Sequence, residues 1–262
     1  MPLIDINTTL GAGFGVWQKG MDDAMLRIVT SASVACGFHA GDPTIMQAAV
    51  SSAQRAGVII GAEIGYPDLQ GFGMRDIAMT TYDIYVSSLY QIGALWAICQ
   101  ANGAELQYVK PHGALYRRGC VEAGVAKSIA RAVKNVDKNM ILLAHAGSCF
   151  EKAAAELKVT FIAEIFADRG YREDGLPIAR GELGDTITDP SAAGERMAAF
   201  AKEGVVRTSS GENIPVKAQS IGVHGDYKTP AQIAFAVKET LENNGFTIVN
   251  LQKIRESMPP VD

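Results

Sequence analysis

Short runs of apolar residues recur along the chain at 3–7, 33–37, 58–62, 106–110, 140–144, 160–166, 219–224 and 246–251. Most are near-continuous rather than alternating, the pattern of strands buried on both faces of a parallel sheet. Helical segments with clear end signals lie between them. Asp42-Pro43 offers an N-cap and a first-turn proline, and Gly57 offers a stop. Asp189-Pro190 opens a second helix that closes near Gly204, and Thr229-Pro230 a third that closes at Asn244-Gly245. The longest predicted helix covers 80–102. Its residues Tyr85, Leu89, Ile92, Trp96 and Cys99 are spaced four, three, four and three, a stripe expected to pack on the sheet.

Strand–helix alternation is the α/β pattern, and seven or eight such units fit a closed or distorted (β/α) barrel better than an open sheet. The rhythm breaks near 170–216. There 176–179 and 213–216 are expected to pair as short antiparallel strands in an insertion around a helix at 190–203. No internal repeat, low-complexity tract or linker divides the chain, so residues 1–262 read as one barrel domain. A domain of that length buries roughly three-quarters of its unfolded surface and needs no staples.

Composition narrows the partners. A net charge of −4 and a pI of about 5.6 argue against a nucleic-acid partner, which asks for a basic face. No run of about 18 uncharged apolar residues is present, so no membrane-spanning helix is expected. The start, Met1-Pro2-Leu3-Ile4-Asp5, lacks a basic, apolar leader pattern, which points to the cytoplasm. The four cysteines, Cys36, Cys99, Cys120 and Cys149, form no Cys-x-x-Cys pair and read as free thiols.

The chemistry gathers at run ends. Each of the four histidines, His39, His112, His145 and His224, follows an apolar run closely and has a glycine within the next two residues. In a parallel barrel those ends share one face, where active sites lie. Asp5, Asp42, Glu63, Asp68, Asp168 and Asp226 are placed by the same runs. Histidine with carboxylate serves either as divalent-metal ligands or as acid/base pairs, and the residues alone leave both open. Asp42 also reads as a helix cap, and Asp168, before Arg169, as a structural ion pair. Asp5 shares a strand face with Asn7 and Thr9, a polar row in an otherwise apolar strand. Lys110 and His112 project to one side, where a lysine can neutralise a carboxylate or phosphate. Gly11-Ala-Gly13-Phe-Gly15 lacks the third glycine of a dinucleotide fingerprint, since position 16 is Val16. No phosphate-binding Gly-x-x-x-x-Gly-Lys-Ser/Thr string and no Gly-x-Ser-x-Gly elbow occur.

Six strings carry a resemblance: Ala35-Cys-Gly-Phe-His-Ala-Gly-Asp-Pro43, Tyr66-Pro-Asp-Leu-Gln-Gly-Phe-Gly73, Gln91-Ile-Gly-Ala-Leu95, Val109-Lys-Pro-His-Gly-Ala-Leu-Tyr116, Phe166-Ala-Asp-Arg169 and Val223-His-Gly-Asp226. In this order, over about residues 3–251, they resemble the LamB/YcsF family. The resemblance implies a distorted barrel of about seven parallel strands, related to polysaccharide-deacetylase-like barrels. It implies one component of an ATP-dependent 5-oxoprolinase, working with two further 5-oxoprolinase subunits. That enzyme opens 5-oxo-L-proline to L-glutamate, with ATP as co-substrate. ATP fits the physics, because the amine and acid of glutamate share one chain at high effective concentration and closure is favoured. The candidate catalytic residues are Asp5, His39, Lys110, His112, His224 and Asp226. The candidate substrate-binding residues are Asn7, Glu63, Asp68, Asp168 and Arg169. A divalent metal is a further candidate, with its ligands unassigned.

Two motifs depart from the family. Its first strand usually reads Asp-Leu-Asn-Cys-Asp-Leu-Gly-Glu, where this chain has Asp5-Ile-Asn-Thr8-Thr9-Leu-Gly-Ala12. Its third-strand motif, Gly-Ala-His-Pro-Ser-Tyr-Pro-Asp, is here Gly61-Ala-Glu63-Ile64-Gly65-Tyr-Pro-Asp68. Losing one acid or base typically costs on the order of 10²–10⁴ in rate. Three readings follow: the family reaction, a paralogue acting on another small amide or lactam, or a non-catalytic partner-binding protein. His145 is a candidate to compensate for the changes.

Overall fold

A computed structural model describes residues 1–226 and 228–259; residues 260–262 of the expected domain lie outside the described residues. In chain order the elements are β1 (Leu3–Leu10), α1 (Asp22–Met25), β2 (Ser31–Ala35), α2 (Pro43–Ala56), β3 (Ile59–Ile64), α3 (Thr81–Ala101), β4 (Leu106–Pro111), α4 (Gly113–Val121), α5 (Ala123–Val136), β5 (Ile141–His145), α6 (Cys149–Leu157), β6 (Thr160–Phe166), α7 (Pro190–Glu203), β7 (Val205–Arg207), β8 (Asn213–Pro215), β9 (Ser220–Gly222), α8 (Pro230–Asn243), β10 (Thr247–Ile248) and α9 (Leu251–Ser257). Strands β1 to β6 and β9 pair in parallel, and β9 also pairs with β1, so seven strands close a barrel. Strand β10 joins as an eighth, on the first two residues of β1 only, through Leu3↔Thr247 and Ile4↔Ile248.

Period-two alternation sorts the strand residues. Ile4, Ile6, Leu10, Val34, Ile60, Ala62, Ile64 and Val109 join the helices in the main core. Ile59, Tyr108, Ile141, Leu143 and Ile162 form a second cluster, closed by Leu251 and Ile254 of α9. Helix α9 therefore plugs one end of the barrel.

The helix signals act as their chemistry requires. Asp42 accepts from the Thr44 and Ile45 amides, and Gly57 ends α2 in the left-handed region. Asp189 caps α7, and Thr80 with Asp83 makes a capping box on α3. Two expectations need correction. The buried side of α3 is Ile84, Ser88, Gln91, Ile92, Leu95 and Cys99, whereas Trp96 is about half exposed. Of the expected stripe, Ile92 and Cys99 are in the core and Tyr85 and Leu89 pack against it, so spacing misplaced only Trp96 on a helix that is apolar nearly all round. The antiparallel partner of 213–215 is β7, not 176–179; a short return after α7 makes the more local pair. The 168–187 segment is instead tied by isolated bridges, Arg169↔Thr186 and Tyr171↔Pro177. The four thiols are free. Among the described residues, no helix is long and apolar enough to cross a membrane.

Candidate active site

A cavity of about 630 Å³ opens where the barrel strands end; Glu63, Lys110, His112, Phe166, Arg169 and His224 are among its lining residues. Ligand pockets typically fall in this size range.

Glu63, on β3, is its centre. One carboxylate oxygen accepts from the Thr9 hydroxyl at 2.7 Å and lies 3.4 Å from His112 Nδ1. The other lies 3.2 Å from His39 Nε2. The two imidazoles stack with centroids 3.9 Å apart. Burial opposes ionisation of Glu63, but His112 and His39 outweigh it and hold the carboxyl well below its usual range. Burial, and then the neighbouring His112, push His39 down to about 4 against the pull of Glu63. Near neutral pH His39 is therefore a neutral imidazole.

Backbone architecture fixes this arrangement. His112 Nε2 donates to the Phe72 carbonyl at 2.9 Å. That acceptor is aimed by Phe72 itself, which sits at φ 53°, a strained conformation for an aromatic residue. The loop is cinched by Asp68, which accepts from the Gly71 and Arg75 amides and from the Arg75 guanidinium. A Cβ at Gly73 would lie 2.8 Å from the His39 Cβ and 2.9 Å from His112 Cδ2. A Cβ at Gly65 would lie 2.5 Å from His39 Nδ1. Gln91 clamps Gly65 through both its amide N–H and its carbonyl. The Tyr66–Gly73 and Gln91–Leu95 strings thus serve largely to seat the two rings.

A second histidine–carboxylate pair meets the same cavity. Asp168 accepts from the His224 amide at 2.7 Å and lies 3.0 Å from its Nδ1. Burial favours neutral Asp168, yet His224 and Arg169 hold it ionised. Burial lowers the His224 pKa, with Asp168 opposing.

Behind the cavity lies a buried polar file. Lys110 Nζ donates to Glu164 at 2.7 Å and to Asn7 at 2.8 Å. The Asn7 amide donates to Glu164 and to Ser220, and Tyr116 donates its hydroxyl to Glu164. Ser220 and Ser31 donate to Asp5, each at 2.5 Å.

The structure therefore separates the sequence candidates. His39, Glu63 and His112 form one group, while His224 and Asp168 form another on the same cavity. Asp5 is corrected from a mouth residue to an interior one, because it stands near the start of β1 in register with Ser220. Asn7 supports Lys110 and Glu164. Asp68 organises its loop, and Asp226 pairs with Arg180 at 3.0 Å and Lys19 at 3.5 Å. Arg169 lines the cavity while its guanidinium bonds the Asp185 and Ile178 carbonyls. His145 does not join the group: its Nδ1 contacts the Ala146 carbonyl, and its buried Nε2 has no partner among the described residues. Glu164 escaped notice in the sequence, although a lone charge inside the apolar run 160–166 is the same signal that marked Asp5 and Lys110.

Among the described residues, His39, Glu63 and His112 are one group able to hold a metal ion, with donor atoms within 4.8 Å of one another. Separations of 3.2 and 3.4 Å suit two ligands about 2.0–2.1 Å from a shared ion. His112 also has the outer support that a ligating imidazole normally needs, its other N–H being held by Phe72. His39 Nδ1 is buried without a partner among the described residues, so His112 and Glu63 are the better-supported ligands.

Comparison with known proteins identifies the family and the fold. The LamB/YcsF family model matches residues 4–256. A 5-oxoprolinase subunit of Mycobacterium ulcerans is 46% identical over 245 residues, covering 94% of this chain and 97% of that one. The crystal structure of a lactam utilization protein from Thermus thermophilus superposes with a TM-score of 0.88 at 37% identity, covering 96% of this chain and all of that one. The T48 deacetylase, at 14% identity and a TM-score of 0.50 over 98% of this chain and 92% of its own, shares the fold.

Proposed function

This chain belongs to the LamB/YcsF family, and from that premise we propose that it is the lactam-opening subunit of a 5-oxoprolinase. It converts 5-oxo-L-proline to L-glutamate in an ATP-driven complex with two further subunits. The observation that carries this reading is the pairing of two histidine–carboxylate units, Glu63–His112 and Asp168–His224, on one cavity.

Opening a lactam requires a water oxygen to add to the carbonyl carbon and the ring nitrogen to leave with a proton. Each step calls for a group that moves a proton at the right place. His112, with Nδ1 3.4 Å from Glu63, and Glu63 itself form the first proton-handling unit. His224, steered by Asp168, is the second carrier. Lys110 lies at the cavity wall, ion-paired with Glu164 and bonded to Asn7, so that its remaining N–H can donate to a substrate oxygen. A divalent ion held by His39, Glu63 and His112 would add Lewis-acid polarisation of the carbonyl. ATP supplies the driving force that an unstrained five-membered ring lacks.

The family's missing carboxylate supports retained catalysis. The first-strand Asp is replaced by Thr9 and the third-strand His by Glu63, and these two side chains touch at 2.7 Å. The acid has in effect crossed a single hydrogen bond. The same observation favours a second reading, a paralogue retuned for another small amide or lactam. A panel of 5-oxo-L-proline, 2-pyrrolidinone and other small lactams, assayed with the two partner subunits and ATP, separates them. Turnover of 5-oxo-L-proline alone supports the first reading, and turnover of another lactam supports the second. Turnover of neither, with the partners still bound, overturns both in favour of a non-catalytic role.

A further inference from the structure

Six cationic side chains line the cavity: Lys110, Arg117, Arg118, Arg169, Arg172 and Arg180. Four of them face a carboxylate partner: Lys110 with Glu164, Arg118 with Glu122, Arg172 with Asp174 and Arg180 with Asp226. Arg117 and Arg169 differ in their hydrogen-bond acceptors, although Asp76 and Glu182 act on Arg117 and Asp168 on Arg169 through space. The hydrogen bonds of Arg117 go to the carbonyl and sulfur of Met74. Those of Arg169 go to the Asp185 and Ile178 carbonyls. Neutral acceptors orient a guanidinium without cancelling its charge. A guanidinium has five N–H donors in a planar fork, so both residues keep donors for a ligand.

We propose that Arg117 and Arg169, with Arg180 beside them, form an oxyanion-binding wall that selects ligands carrying a carboxylate or phosphoryl group. Resting on the lactam reading above, the wall takes the carboxylate of the lactam acid and orients the ring toward Glu63 and His112. Crowding of like charge supports this: burial lowers the Arg117 pKa, Arg169 and Arg180 lower it further, and Asp76 and Glu182 offset only part of the fall. An anion entering the cavity relieves that repulsion.

The test is calorimetric titration of the full chain with 5-oxo-L-proline, with neutral 2-pyrrolidinone and with inorganic phosphate. It uses wild type, Arg117→Gln and Arg117→Lys. Charge-assisted bidentate bonds predict that Arg117→Gln weakens the bound anion about 10- to 100-fold, with 2-pyrrolidinone unaffected. Arg117→Lys retains the charge but not the fork, so a smaller loss is expected, and it carries the test if the glutamine variant does not fold. Phosphate binding that depends on Arg117, with no 5-oxo-L-proline binding, supports the wall and removes the lactam reading. Anion affinity unchanged in both variants, or 2-pyrrolidinone bound as tightly as 5-oxo-L-proline, overturns the proposal.

Discussion

Glu164 is the hinge of the buried polar file, and its substitution gives a sharp energetic test. Its side chain is fully buried and accepts from Lys110 Nζ at 2.7 Å, Asn7 Nδ2 at 3.0 Å and the Tyr116 hydroxyl at 3.0 Å. In Glu164→Gln the Lys110 ammonium, only 7% exposed, loses its counter-charge and keeps the Asn7 carbonyl. Removing one partner of a buried pair costs roughly 3–5 kcal/mol, because the other charge is stranded. At roughly 2–4 °C per kcal/mol for a domain near this size, melting should fall by about 6–20 °C. Reversible urea unfolding gives the free energy directly. Adding Lys110→Met should recover part of the loss, leaving the double variant about 2–3 kcal/mol better than the sum of the singles. A Glu164→Gln cost below about 1 kcal/mol, or strict additivity, refutes the idea that these charges sustain each other.

Three further outcomes follow from the geometry. Thr9→Asp alone sets two carboxylates side by side, and Glu63→His alone removes the acid, so each should cut turnover by about 10² or more; the double variant should regain it, as steady-state rates would reveal. Gly65→Ala should tilt His39 and cost roughly 1–3 kcal/mol of stability with loss of activity, checked by melting and turnover together. Burial raises Asp5 from 3.8 to about 6, against hydrogen bonds from Ser220, Ser31 and Thr30. The native state then binds the proton more tightly than the unfolded chain, so this group's stability contribution is present below about pH 4 and lost as pH rises to about 6. Wild type minus Asp5→Asn should therefore fall by on the order of 3 kcal/mol between pH 4 and 7 in urea titrations, and a rise would contradict it.

Much of the barrel was legible because parallel strands buried on both faces leave dense apolar runs, and because Asp-Pro starts and Gly stops mark helix ends locally. The strand-end rule brought Glu63, His112 and His224 to one cavity, with His39 buried behind Glu63. It failed for Asp5 because position along a strand, not membership of it, decides between mouth and interior; Asp5 lies five residues short of the end of β1. It failed for His145 because its ring turns among Phe166 and Tyr171 instead of toward the cavity. Phe72 as the acceptor that orients His112, and Glu164 as the counter-charge of Lys110, depend on pairings 40 and 54 residues apart. No local pattern encodes those. Trp96 of α3 was misplaced for the opposite reason: too many positions were apolar for periodicity to choose among them.

The most direct measurement is ATP-dependent release of glutamate from 5-oxo-L-proline by this chain with the two further subunits proposed for it, comparing wild type with His112→Ala and Glu63→Gln. Turnover in wild type, lost by a factor of about 10² or more in both variants while melting temperatures and complex assembly are retained, is the expected result. Absence of glutamate release beside an active family member, or turnover that survives both substitutions, would contradict the assignment of the Glu63–His112 pair as the catalytic centre.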